Sequence, residues 1–425
     1  MSGSGNKNSP AVRIFVSIVI LFLATHVLSA KKPSVGDNNK KLIAQVDSIL
    51  DSQVKKDLIP GAVILIKKNG KTIYRHAYGF AQKYDFEHKL LKTPEVMSVG
   101  HLFDIASLTK VVGTTTSMML LADRGMINVN DPVCKYIISF DTPEKRSITI
   151  RNLLTHTAGL YEWYPLYYFA SNRKESYDLI HRLPLKFPVG EQRRYSDLGF
   201  VLLGEIIEKV SGMPLEKFMK ENIFQPLNMG QTTFNPLLAG GFKKIAATSP
   251  GNPYEKRMVT DNTLGYSVTE ADPGKWNGWR NYVLRGEVND GNAWYANGGI
   301  SGAAGLFSTA GDIQKVVDML LNNGKAGSKQ FISEKTIRSF LTMDRFGNGL
   351  GWMMDPSNSF MKDAPEGSFG HTGFTGTSIA VVPEAGISVI LLINRQNTGL
   401  QGNGEYYNVN PVRLAVFKAI MKNLD

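Results

Sequence analysis

The chain has 425 residues, 43% hydrophobic and 20% charged, and 48 Lys and Arg against 37 Asp and Glu give a net charge of +11. Those values exclude a disordered, collagen-like or coiled-coil chain and suit one large or two interleaved domains. The single Cys134 excludes an internal disulfide, and the basic residues are too scattered for a nucleic-acid-binding block. The charge reads first as a solubilising surface and second as attraction to anionic polymers such as cell wall.

In chain order, the first thirty residues stand apart. Lys7 and Arg13 precede an apolar run from Ile14 to Ala24, Ser29 and Ala30 follow, and the chain turns polar at Lys31. This is the order of a secretory signal peptide, and a run of eleven residues is short for a bilayer span. The expected location is secreted or periplasmic, with membrane proximity if the segment stays uncleaved. Next, Leu42, Ile43, Val46, Ile49 and Leu50 recur at helical spacing between Lys41 and Val54. Ala62 to Ile66 is a continuous apolar strand, Asn69-Gly70 a hairpin turn, and Lys71 to Tyr78 the returning strand.

Helices are expected over Ser107 to Arg124, Thr149 to Thr155 and Leu198 to Val210, the last stopped by Ser211-Gly212. The Gly- and Asn-rich stretch from Asn277 to Gly305 reads as an ordered loop region near a site. Ser368 to Gly373, Thr377 to Val382 and Ile387 to Asn394 read as strands, and Pro411 opens a terminal helix through Met421. The two ends thus supply one sheet flanked by helices, interrupted by a helical middle. The expected division is 1–30 signal peptide, 31–106 first part of an α/β domain, 107–344 mainly helical region, and 345–425 second part of the α/β domain.

Ser107 and Lys110 are three residues apart, and on a helix such positions face the same way. A serine hydroxyl needs a base within reach to become a nucleophile, and a partly desolvated lysine serves as one near neutral pH. A serine at a helix start also has a free N–H for an oxyanion. Ser-x-x-Lys alone recurs by chance. Here Tyr195-Ser196-Asp197 and His371-Thr372-Gly373-Phe374 follow it downstream. No His, Cys and Asp cluster has zinc spacing, and no cofactor is implied. Cys134 reads as a packing residue, and His156 as a satisfied core histidine. The aromatic clusters Tyr161, Trp163, Tyr164 and Trp294, Tyr295 either wall a cleft or pack the core.

These groups, in this order, resemble the three motifs of the serine β-lactamase and DD-peptidase superfamily, in its class C-like branch. The resemblance extends to Leu153 through Leu160, Phe187-Pro188-Val189-Gly190-Glu191, Pro226-Leu227-Asn228-Met229 and Ser301 through Ser308. It covers roughly Ala44 to Lys422 and implies that family's fold, a five-stranded antiparallel sheet flanked by helices with an inserted all-helical region. It implies Ser107 as the acylated nucleophile, Lys110 as an aid to its deprotonation, and Tyr195 as general base and then acid. It places Asp197, His371, Thr372, Gly373 and Phe374 against substrate, with the N–H groups of Ser107 and Phe374 as the oxyanion hole.

Three departures stand out. His371 replaces the lysine of typical β-lactamases and positions a carboxylate if charged, or a hydrogen bond if neutral. Asp197 replaces the commoner Asn and would hold Lys110 in its charged form. Asn289 and Ala303 stand where relatives of this type usually carry histidine, a shift in substrate preference if both line one pocket. The implied function is an exported hydrolase of cell-wall peptides, of DD-carboxypeptidase or muropeptide amidase type. The alternatives are a class C-like β-lactamase, a small-ester esterase, and a non-catalytic penicillin-binding or interaction protein. The implied partners are a peptide, ester or β-lactam substrate, peptidoglycan fragments included.

Overall fold

The computed structural model describes residues 35–424, so the expected signal peptide lies outside the described residues. Among those described, no helix is long and apolar enough to cross a membrane. The strands are β1 (Gly61–Lys68), β2 (Lys71–Tyr84), β3 (Leu90–Val96), β4 (Phe103–Asp104), β5 (Thr233–Phe234), β6 (Leu306–Ser308), β7 (Lys325–Ala326), β8 (Lys329–Gln330), β9 (Phe369–Thr372), β10 (Ser378–Val382) and β11 (Ile387–Ile393).

The main sheet runs β3-β2-β1-β11-β10-β9, and every neighbouring pair is antiparallel. The two ends of the chain meet at its centre, where Ile64 of β1 faces Leu391 of β11. Asn69 and Gly70 turn β1 into β2 with φ of 48° and 73°, the left-handed pair that a two-residue hairpin needs. The sheet has six strands rather than the five expected. The extra strand, β3, is an edge with Pro94 inside it and both Leu90 and Val96 largely exposed. Proline cannot complete a ladder, so β3 shows neither a strand's alternation nor a buried run.

The apolar run of β1 is continuous because both faces of the sheet are covered. Ala62, Ile64 and Ile66 point to one side, where the helices Val35–Lys55 and Asn410–Leu424 pack through Val46, Leu50, Val416 and Ile420. Val63 and Leu65 point to the other side, into the core of the helical region with Ile390 and Leu392 of β11. Each such side chain contributes about 1.5–3 kcal/mol on burial. A small sheet, β4-β6-β5, roots the helical region beside the main one, and β7-β8 is a minor hairpin. The far edge strand, β9, carries the His371-Thr372-Gly373 group.

Candidate active site

Ser107 follows β4 in a tight turn, ahead of the helix rather than inside it. The turn is strained: Ala106 has φ of 45°, a left-handed conformation that an alanine adopts at a cost of about 1 kcal/mol. Asp104 holds it there. Its carboxylate accepts the Ala106 N–H at 2.8 Å and the Asn289 N–H at 2.7 Å, tying the serine turn to the Asn277–Gly305 stretch. Burial, opposed by those two N–H groups, leaves the Asp104 carboxyl raised to about 6. The sequence reading missed Asp104; its one signal is an Asp two residues before a turn.

Lys110 opens a π-helical turn, Lys110–Thr115, that continues as the α-helix Thr116–Asp123. Such wide turns recur at functional sites because they displace side chains from the regular ladder. Lys110 is fully buried. Its Nζ donates to Ser107 Oγ at 3.0 Å and to the Ala303 carbonyl at 2.9 Å, and lies 2.7 Å from Asp197 Oδ1. Burial alone would pull the ammonium down, but the Asp197 carboxylate and the Tyr195 phenol outweigh it and hold Lys110 above its ordinary range. The Ser301–Ser308 segment is therefore the wall behind the lysine. Ala303 is buried and touches Lys110 through its backbone, whereas Asn289 lines the cleft, so the two changed positions do not share one pocket wall.

Tyr195 and Asp197 flank Ser196, which caps the helix Asp197–Ser211 by accepting the Gly199 N–H. The Lys110 ammonium sits 5.2 Å from the Tyr195 ring centre. Burial raises the phenol; the Lys110 charge opposes that, Asp197 adds to it, and the net shift is upward. His156 lies beneath Tyr195, its ring centre 4.5 Å away, and its Nδ1 accepts the Ser196 N–H at 3.0 Å. Burial keeps it neutral. It is a support, as the sequence suggested.

His371, on β9, is 1% exposed, its ring centre 6.2 Å from that of Tyr195. Its Nδ1 faces the Thr372 carbonyl at 2.9 Å, so Nδ1 carries the proton and Nε2 presents a lone pair with no partner among the described residues. Burial, reinforced by the Lys110 charge, presses the imidazole down to about 3. Of the two roles open to it, the neutral one applies. Gly373 lets β9 approach the serine turn: a Cβ there would fall 2.1 Å from Thr377 Oγ1 and 2.6 Å from the Ile105 carbonyl. Thr375 and Thr377 donate to the carbonyls of Asp104 and Ile105 across the same seam. The N–H groups of Ser107 and Phe374 donate to no backbone carbonyl among the described residues, which leaves both available to an oxyanion.

Ser107, Tyr195, Asp197, Asn289 and Phe374 open onto one cleft of ≈ 300 Å³. Lys110 and His371 lie behind its wall. Trp163 lines it, while Trp294 stacks on Arg280 and Tyr295 packs against Trp276, so the aromatic clusters divide between cleft and core. The cleft also holds Glu162, Asn252, Tyr254, Glu255, Tyr266, Asp290 and Tyr406, none of which the sequence reading selected as substrate contacts. Asn252, Tyr254 and Glu255 sit at the start of the helix Pro253–Thr260, and the others come from separate segments. Arg280, buried, donates to Asn252 Oδ1 and the Val288 carbonyl and fixes this wall.

The Beta-lactamase family model matches residues 46–412. A protein of Escherichia coli (strain K12), provisionally named D-alanyl-D-alanine carboxypeptidase, is 32% identical over 395 residues, 88% of this chain and 86% of that one. The N-acetylmuramyl-L-alanine amidase of Bacillus subtilis (strain 168) is 31% identical over 390 residues, 87% of this chain and 84% of that one. A class C beta lactamase structure superposes with a TM-score of 0.65 at 19% identity, covering 91% of this chain and 99% of that one. With a family match over most of its length, this chain belongs to the β-lactamase family and is a serine hydrolase.

Proposed function

We propose that the chain is an exported hydrolase of cell-wall peptides that works through an acyl-enzyme on Ser107. The observation that carries this reading is the Ser107 Oγ to Lys110 Nζ contact of 3.0 Å, with Ser107 on the cleft and Lys110 behind its wall. The signal-like leader, the basic charge and the names of the two relatives support the compartment and the substrate class. The amidase type fits better than the carboxypeptidase type. A terminal carboxylate is bound most strongly by a cation, yet among the described residues no Lys, Arg or His lines the cleft and His371 is neutral.

In this reading each group takes a step. Ser107 Oγ attacks the carbonyl, and the N–H groups of Ser107 and Phe374 receive the oxyanion. Lys110 is held as an ammonium, so it works first through its charge, favouring the phenolate of Tyr195 that takes the serine proton. Tyr195 returns that proton to the leaving amine, and water then releases the acyl group by the reverse route.

Incubating the protein with muropeptides, a fluorescent penicillin and nitrophenyl esters tests the assignment. The expected result is release of peptide from muropeptides with a slowly turned-over penicillin adduct. Rapid penicillin hydrolysis with inert muropeptides would replace this reading by a β-lactamase, and ester turnover alone by an esterase.

Asp197→Asn tests the electrostatics. Asp197 raises both Lys110 and Tyr195. Its neutralisation lowers both, so the rising limb of kcat/KM against pH should move to lower pH. A limb that stays in place removes Asp197 from the proton path.

A further inference from the structure

The cleft wall carries four carboxylates, those of Glu162, Asp197, Glu255 and Asp290, around a serine that must meet a substrate. Two have cations of their own: Asp197 faces Lys110 at 2.7 Å, and Glu162 has Arg194 at 4.0 Å. Glu255 and Asp290 have none within 4.0 Å among the described residues; the nearby Arg280 lies 3.9 Å from Glu287 instead. Glu255 accepts the Gly291 N–H at 2.8 Å and faces the Tyr167 hydroxyl, and Asp290 accepts the Ala293 N–H at 2.7 Å. Those bonds orient the two carboxyl groups without neutralising them.

Aromatic rings complete the wall. Trp163 and Tyr266 meet edge to face at 6.1 Å, and Tyr254 sits next to Glu255 on the helix Pro253–Thr260. Arg395 stacks behind Phe374 and Tyr406, but its donors are spent on the Phe374 and Tyr407 carbonyls and it does not line the cleft. Carboxylates interleaved with π faces are the chemistry that binds an ammonium ion.

From this we propose that the substrate presents a protonated amine to Glu255 and Asp290, so that the cleft selects cationic peptides over neutral or carboxylate-ended ones. The inference rests on the reading of Ser107 as the nucleophile of the same cleft. Burial, with Asp290 alongside, lifts the Glu255 carboxyl to about 8, and burial lifts Asp290 to about 6. Burial disfavours the ionised form of both; Arg280, and for Asp290 also Lys110, oppose that without forming an ion pair, and a ligand ammonium in contact would favour the ionised pair.

Inhibition of neutral-ester turnover tests this. Nitrophenyl hexanoate hydrolysis is followed at about pH 8 in the full chain, with hexylammonium or hexanoate as competitor. Hexylammonium should inhibit roughly tenfold or more better than hexanoate, and less so as salt is raised. In Glu255→Gln/Asp290→Asn the two inhibition constants should converge. Equal inhibition by both competitors in the parent protein overturns the inference, as does a preference that survives in the double variant. The parent comparison decides alone if the double variant does not fold. Turnover that persists in Ser107→Ala faults the nucleophile; a silent Ser107→Ala with no amine preference faults only the amine.

Discussion

Ser107→Ala should lower kcat/KM by roughly 10⁴–10⁶-fold on every substrate, because a nucleophile removed from a working unit takes most of the unit's acceleration with it. The fold should survive. The Lys110 ammonium keeps the Ala303 carbonyl and Asp197 as partners, and the strained turn at Ala106 is held by Asp104 rather than by the hydroxyl. The measurement pairs steady-state turnover with mass spectrometry of the acylated protein. The parent chain should carry one acyl group on the peptide containing Ser107, and the variant none. Turnover within tenfold of the parent, or an acyl group on another residue, would sink the assignment.

Lys110→Met should cost roughly 10³-fold or more in turnover and about 2 kcal/mol in stability. Met fills a similar volume, so the loss is electrostatic rather than a cavity. Asp197 is left on the cleft wall without its cation, with a quarter of its side chain exposed to soften the penalty. The Tyr195 phenol loses the charge that opposes its upward shift, so the phenolate that accepts the serine proton is less populated. The double variant Lys110→Met/Asp197→Asn separates the two effects. Removing both partners of a buried pair is close to neutral for folding, so the unfolding midpoint should recover while turnover does not. Recovery of both would make Lys110 a structural residue only.

The candidate site was legible where residues near in sequence are near in space. Ser107 and Lys110 are one turn apart, Tyr195 and Asp197 bracket a helix cap, and His371 through Phe374 follow one strand. Groups assembled from distant loops were not legible. Asp104 joins Asn289 across nearly half the chain, and Glu255 meets Asp290 from different segments. No local pattern marks such a meeting, because it is made by backbone N–H groups that every residue carries.

The fold divides in the same way. The continuous apolar runs of β1 and β11 required a sheet buried on both faces, and Asn69-Gly70 required a hairpin. The edge strand β3 escaped, since an exposed edge with a proline has no hydrophobic pattern to show. The sequence by itself determined the family, the serine chemistry and the order of the site's parts. The sequence offered two charge states each for Lys110 and His371, and only the tertiary structure chose between them. Whether Lys110 is an ammonium and His371 neutral depends on how deeply each is buried and which charges surround it. The motif could name Asp197 as a partner for Lys110, but depth of burial and contact distance are properties of the packed volume around a side chain.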